Sequence, residues 1–173
     1  MPSSASPVAV REPGPEVTTR VGLGFDVHPF SDDPRRVLVL GGVVLEGERG
    51  LSGHSDADVV AHAVAEALLG ATGQGDLGWH FPDSDPRWEG VDSTVLLGEV
   101  VRMVVDAGWT VGNVDCSVVL EAPRLGPHRE AMEQRLSAVV GASVTVKPRR
   151  AEGLGALGRG EGVACWAVAL VER

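Results

Sequence analysis

Arg20-Val-Gly-Leu-Gly-Phe-Asp-Val-His28 is the stretch that decides the fold. Its branched and aromatic residues alternate with small or polar ones, the period-2 pattern of a β-strand, and the strand carries Asp26 and His28 toward its end. Outward from it, Val37 to Leu40 and Val43 to Leu45 flank Gly41-Gly42, the pattern of a short hairpin or a bulged edge strand. Asp56 to Leu69 places Val59, Ala63 and Leu69 at helical spacing, with Ser55 or Asp56 as the cap of its first turn and Gly70 and Gly73 at its end. The segment from Gly73 to Gly90 is rich in Gly, Asp and Pro, and is too long to be an idle connection in a small domain.

A second helix starts at Asp92-Ser93, runs through Val100 and Met103, and stops at Gly108. Trp109 to Leu120 alternates as a strand. A third helix is expected from Pro127 to about Val140, followed by a strand over Ser143 to Val146, a glycine-rich loop, and a terminal strand from Val163 to Val171. This order predicts an α+β fold: a single mixed β-sheet with helices packed on one face.

With 173 residues, 43% of them hydrophobic, the chain can bury one core and not two. Residues Met1 to Thr18 mix Pro, Ser, Gly and charge without periodicity, so residues 1–18 are expected to form a flexible leader and residues 19–173 a single domain. No run of about 18 apolar residues occurs, so no membrane segment is expected and the protein should be soluble and cytoplasmic. A formal net charge of -9 argues against nucleic acid as a partner, because phosphate backbones reward basic surfaces. Cys116 and Cys165 lie in alternating apolar runs and read as buried free thiols.

Three groups of residues carry chemistry. Asp26-Val-His28 sets a carboxylate and an imidazole on one face of a strand, a spacing suited to zinc, and His62 lies in an otherwise apolar helix. His62 is either a third ligand, leaving one coordination position open as catalytic zinc requires, or a hydrogen-bonded core histidine. Gly53-His-Ser-Asp-Ala-Asp58 stands at a helix start, where free N–H groups favour an anion; the competing reading is a plain cap. Gly155 to Gly162 is a glycine-rich stretch in which Arg159 and Glu161 sit two residues apart, a weak signal by itself.

Taken together, Gly24-Phe-Asp-Val-His28, Gly53-His-Ser-Asp-Ala-Asp-Val59, Gly75-Asp-Leu-Gly78, Phe81-Pro-Asp-Ser-Asp-Pro86, Ala122-Pro123 and Gly158-Arg-Gly-Glu-Gly162 resemble the 2-C-methyl-D-erythritol 2,4-cyclodiphosphate synthase family in order and spacing. The resemblance runs from Arg20 to the C-terminus. It implies a homotrimer with active sites between subunits, acting on a small-molecule diphosphate. Such enzymes convert 4-diphosphocytidyl-2-C-methyl-D-erythritol 2-phosphate into the cyclic diphosphate and CMP by intramolecular phosphoryl transfer.

By resemblance, Asp26, His28 and His62 hold zinc or another divalent transition metal, and Glu152 holds a magnesium or manganese ion that arrives with the substrate. His54 and Glu152 are the catalytic candidates. His54 and Ser55 match phosphate-binding positions, Asp76 and Gly78 match those for the methylerythritol hydroxyls, and Phe81, Pro82, Asp83, Ser84 and Asp85 close the pocket. Residues Ala122 to Gly126 and Pro148 to Glu152 form the nucleotide side, with Pro123, Arg124, Leu125, Gly126, Arg149 and Arg150 as its substrate contacts. Phe25, Arg159 and Glu161 match a central channel that in relatives can hold a prenyl diphosphate; an Arg159–Glu161 ion pair is the competing reading.

The chain departs from the family pattern after Lys147, where Pro148-Arg149-Arg150-Ala151-Glu152 replaces an Ala-Thr-Thr-Thr-Glu run. Threonine hydroxyls that would donate to the diphosphate are gone. Arginine can grip phosphate through its fork of donors but is much larger. Arg124-Leu125-Gly126 likewise replaces Lys-Met-Leu. These changes keep open a non-catalytic trimeric relative that binds nucleotide or prenyl diphosphate. A zinc hydrolase gains no support from any nucleophile or general-base motif.

Overall fold

The computed structural model describes residues 17–173. The expected leader therefore lies almost wholly outside the described residues. Six strands form two sheets. β1 (Thr19–Pro29), β4 (Thr110–Val119), β5 (Ser143–Arg149) and β6 (Gly162–Glu172) make a mixed sheet in the order β1-β6-β4-β5, and β2 (Val37–Leu40) pairs with β3 (Val43–Arg49) as a separate ribbon. The expectation of a single sheet is corrected here. The hairpin reading holds and the edge-strand reading does not, because β2 and β3 pair with each other and not with the four-stranded sheet.

In the main sheet β6 runs antiparallel to both β1 and β4, while β4 and β5 are parallel. That parallel pair requires a crossover, supplied by α4 (Arg129–Val140). The remaining longer helices are α1 (Val59–Thr72) and α3 (Ser93–Asp106); α2 (Leu77–His80) and α5 (Gly155–Gly158) are single turns. The long segment between α1 and α3 is thus partly folded, with a 3₁₀ turn at Pro86–Trp88. α4 starts slightly later than its proline suggests, since Pro127 sits in a 3₁₀ turn, Gly126–His128, ahead of it.

α1 packs across β1 and β6, and two glycines allow it to do so. A Cβ on Gly22 would lie 1.9 Å from the Ala67 carbonyl oxygen, and one on Gly24 would lie 2.0 Å from that of Ala63. Backbone against backbone at this spacing excludes any side chain. The close approach carries His62, beside Ala63, over the end of β1.

The cap of α1 is Asp58, not Ser55 or Asp56. Its carboxylate accepts from the N–H groups of Val60 and Ala61, as a helix cap should, and also from Gly41 at 2.8 Å and Gly42 at 2.6 Å in the β2–β3 turn. Burial pushes its carboxyl above the usual range and neighbouring Asp56 adds to the rise, while the backbone donors oppose it. One buried acid therefore starts the helix and anchors the ribbon. Cys116 and Cys165 are buried and free, as expected.

The helices cover one face of the main sheet. On the other, Val21, Leu23, Phe25, Val27, Trp166 and Val168 are exposed, and the rings of Phe25 and Trp166 meet at 4.9 Å between centroids. No helix among the described residues is long and apolar enough to cross a membrane.

Candidate active site

Asp26 and His28 project from the end of β1, and His62 meets them from the second turn of α1. Asp26 Oδ2 lies 2.9 Å from His62 Nδ1 and 3.1 Å from His28 Nε2, and those two nitrogens are 3.4 Å apart. A tetrahedral zinc with bonds of about 2.0–2.1 Å separates its ligand atoms by about 3.3 Å, so the trio has the dimensions of three corners of such a site. Among the described residues it is the only cluster of three or more metal-ligating side chains.

The chemistry of the donors agrees with the dimensions. His28 Nδ1 lies 2.8 Å from the Ser52 carbonyl, which can only accept, so Nδ1 carries the proton and the lone pair of Nε2 faces Asp26. Burial would raise the Asp26 carboxyl, but the His28 and His62 imidazoles beside it, which bond to its anion when they are protonated, outweigh burial and hold the group well below the usual carboxylate range. For His28 burial works downward and the contact with Asp26 prevails, raising its pKa. A half-buried carboxylate with two converging imidazoles calls for a cation, and the residues present fit a divalent metal.

The trio opens into a cavity of about 260 Å³ that also takes in His54, Ser55, Gly78, Phe81 and Asp83. Of the residues expected around the substrate, Asp76, Pro82, Ser84 and Asp85 do not line it. Asp76 caps α2 through the N–H of Trp79, and Asp85 is paired with Arg87 while its carbonyl lies 3.3 Å from His54 Nε2. Ser55 is buried, and its hydroxyl lies 3.2 Å from His62 Nε2.

Glu66 and Trp88 are among the residues of this cavity that sequence reading did not name as site residues. Glu66, one turn after His62, accepts the N–H of Leu77 at 2.8 Å, and so fastens α2 to α1. Trp88 packs edge-on against Phe81, and its indole N–H is the single buried side-chain polar group among the described residues that lacks a partner. An acid at helical spacing from His62 was a usable signal for Glu66; nothing local marked Trp88.

A second cavity, of about 500 Å³, lies elsewhere on the protomer and shares no lining residue with the first. Of the segments expected on the nucleotide side, Pro123, Arg124, Leu125, Gly126, Pro148, Arg149 and Arg150 line it, while Ala122, Ala151 and Glu152 do not. The Ala122–Pro123 peptide is cis. Arg124, Arg149 and Arg150 form no ion pair among the described residues, whereas most other arginines do. Glu152 lines neither cavity; it is exposed, in the left-handed region at φ 54°, just beyond β5. Arg159 and Glu161 pair with each other at 2.6 Å on the surface, and Phe25 is exposed on the open sheet face.

Comparison with known proteins agrees with this fold. The profile of the YgbB family matches residues 19–172. A 2-C-methyl-D-erythritol 2,4-cyclodiphosphate synthase from Rubrobacter xylanophilus is 54% identical over 158 residues, 89% of this chain and 95% of that protein. The bifunctional enzyme IspD/IspF of Erythrobacter litoralis is 50% identical over 157 residues, but the match spans 89% of this chain and only 40% of that protein. Among solved structures, a 2C-methyl-D-erythritol-2,4-cyclodiphosphate synthase in its CDP-bound form superposes with a TM-score of 0.79 at 36% identity, over 88% of this chain and 99% of that one. The chain belongs to the YgbB family, alongside relatives named 2-C-methyl-D-erythritol 2,4-cyclodiphosphate synthase.

Proposed function

We propose that the protein converts 4-diphosphocytidyl-2-C-methyl-D-erythritol 2-phosphate into 2-C-methyl-D-erythritol 2,4-cyclodiphosphate and CMP, acting as a phosphorus–oxygen lyase. The observation that carries this reading is the convergence of Asp26, His28 and His62, at zinc-ligand spacing, on a cavity walled by Gly78, Phe81 and Asp83. In the reaction a 2-phosphate oxygen forms a bond to the β-phosphorus, the bond from that phosphorus to the bridging oxygen breaks, and CMP leaves with that oxygen.

Asp26, His28 and His62 would hold zinc or a similar divalent metal, which supplies charge neutralisation and alignment for the attacking phosphate. His54 lies at the cavity wall and would contact a phosphate oxygen there. Glu152, exposed beyond β5, would offer an oxygen ligand to magnesium or manganese entering with the diphosphate. Leu120, Pro123 and Leu125 give the second cavity apolar walls for a base, and its three arginines, which form no ion pair among the described residues, suit a diphosphate.

The active unit is a trimer. Two observations support it: the two half-sites are separate cavities within one protomer, and the face of the sheet opposite the helices is apolar and left uncovered by the described residues. A neighbouring copy would cover that face and bring its nucleotide cavity to the metal. The structure known in a CDP-bound form makes a cytidine nucleotide the first ligand to try.

Release of CMP from the authentic substrate, measured with and without a metal chelator, tests the function. Chelator-sensitive release supports it. Tight CDP binding with no release under any metal would instead favour a non-catalytic nucleotide binder, the reading that Pro148 to Ala151 keeps in play.

A further inference from the structure

His62 turns Nδ1 toward Asp26 and His28, and its other ring nitrogen points the opposite way, into a buried cluster of hydroxyls. Ser93 Oγ lies 2.9 Å and Ser55 Oγ 3.2 Å from His62 Nε2, and the two hydroxyls are 3.2 Å apart. Behind them stands Asp56. Its Oδ1 accepts the Ser93 hydroxyl and, at 3.1 Å, the N–H of Asp58; its Oδ2 accepts the backbone N–H of Ser93 at 3.1 Å. Ser93 opens α3 and is only 1% exposed, so water does not compete for these contacts.

Counting protons fixes the direction of the chain. An ionised carboxylate only accepts, and a serine hydroxyl has one proton, which Ser93 commits to Asp56. Toward His62 the Ser93 oxygen then offers lone pairs alone, so Nε2 must carry the N–H. A neutral imidazole protonated at Nε2 has its lone pair on Nδ1, the atom that faces the other two ligands. Ser55 fits the same scheme: its oxygen accepts the N–H of Ala57 at 3.2 Å, and its proton is left for the second lone pair of Ser93.

We propose that Asp56 and Ser93 are positioning residues of the metal centre, the Asp56 carboxylate orienting the Ser93 hydroxyl and that hydroxyl holding the proton of His62 on Nε2, so that Nδ1 is the ligand. The proposal rests on the reading of Asp26, His28 and His62 as metal ligands. The two histidines are set by opposite devices: the Ser52 carbonyl holds the proton of His28 on Nδ1 and leaves Nε2 to the metal. Asp56 must be a carboxylate. Both of its oxygens face donors, so an amide would put its NH₂ against at least one N–H or O–H. Partners of this kind, standing behind a ligating histidine, set the ring's tautomer and orientation and raise its basicity as a ligand.

The test uses the full chain loaded with zinc, histidine-labelled with ¹⁵N, and a zinc dissociation constant from competition with a chromogenic chelator. In the wild type the long-range ¹H–¹⁵N spectrum should show His62 protonated at Nε2 and His28 at Nδ1. Ser93→Ala and Asp56→Asn should each weaken zinc by about 10–100-fold, and Ser93→Thr, which keeps the hydroxyl, should restore affinity. If Ser93→Ala does not fold, the wild-type tautomer decides, and a His62 proton on Nδ1 overturns the proposal. So does zinc affinity unchanged in Ser93→Ala while His62→Ala loses the metal. If His62→Ala itself keeps wild-type affinity, the metal reading fails first and takes this proposal with it.

Discussion

Gly24 and Ala63 touch backbone to backbone: a Cβ on Gly24 would sit 2.0 Å from the Ala63 carbonyl oxygen. Gly24 is two residues before Asp26 and Ala63 follows His62, so this contact sets the distance across the proposed metal centre. Gly24→Ala must push α1 away from β1. Overpacking of this kind costs about 1–3 kcal/mol, and backbone displaced at the ligands should lower zinc affinity as well. Thermal unfolding with chelator titration checks both; a variant as stable and as zinc-avid as the wild type would show that the contact does not hold the site.

His62→Ala should lose stoichiometric zinc. The wild type should gain about 2.7 kcal/mol of stability at zinc concentrations a hundredfold above the dissociation constant, and the variant almost none. Metal analysis and melting with added zinc measure this. Full zinc content in the variant would remove His62 from the ligand set.

Arg149 and Arg150 line the larger cavity with no carboxylate partner among the described residues. If they grip the diphosphate, Arg149→Ala/Arg150→Ala should cost on the order of 2 kcal/mol or more in CDP affinity by calorimetry. A loss below about 0.5 kcal/mol would mean that they are solvated side chains on a loop.

The tilted rings of Phe25 and Trp166 meet on the open sheet face. Light scattering should find a trimer at micromolar concentration, and Trp166→Asp should break it into monomers that keep zinc. A wild type that is monomeric at that concentration would contradict both the trimer and the shared site.

Much of this was legible in the sequence because period and chemistry coincide there. β1 alternates cleanly, so Asp26 and His28 fall on one face, and the apolar helix around His62 made an imidazole conspicuous. Two things were hidden. Asp58, rather than Ser55 or Asp56, caps α1, because its carboxylate also serves Gly41 and Gly42, a tertiary contact that local capping rules cannot see. Asp56 and Ser93, 37 residues apart, become partners only once α3 packs beside α1. Arg149 and Arg150 were visible as an oddity, and the structure gives them an address in the larger cavity, beside Pro123 and Arg124.

The central claim is cyclisation, and ³¹P nuclear magnetic resonance of the products tests it most directly. The protein, supplied with zinc and magnesium, is incubated with 4-diphosphocytidyl-2-C-methyl-D-erythritol 2-phosphate, and the spectrum is followed in time. Attack by the substrate's own 2-phosphate predicts two mutually coupled phosphorus signals of a cyclic diphosphate, rising in step with CMP and absent in His62→Ala. An unchanged substrate spectrum, or CMP accompanied by open-chain phosphate monoesters from attack by water, would contradict the account.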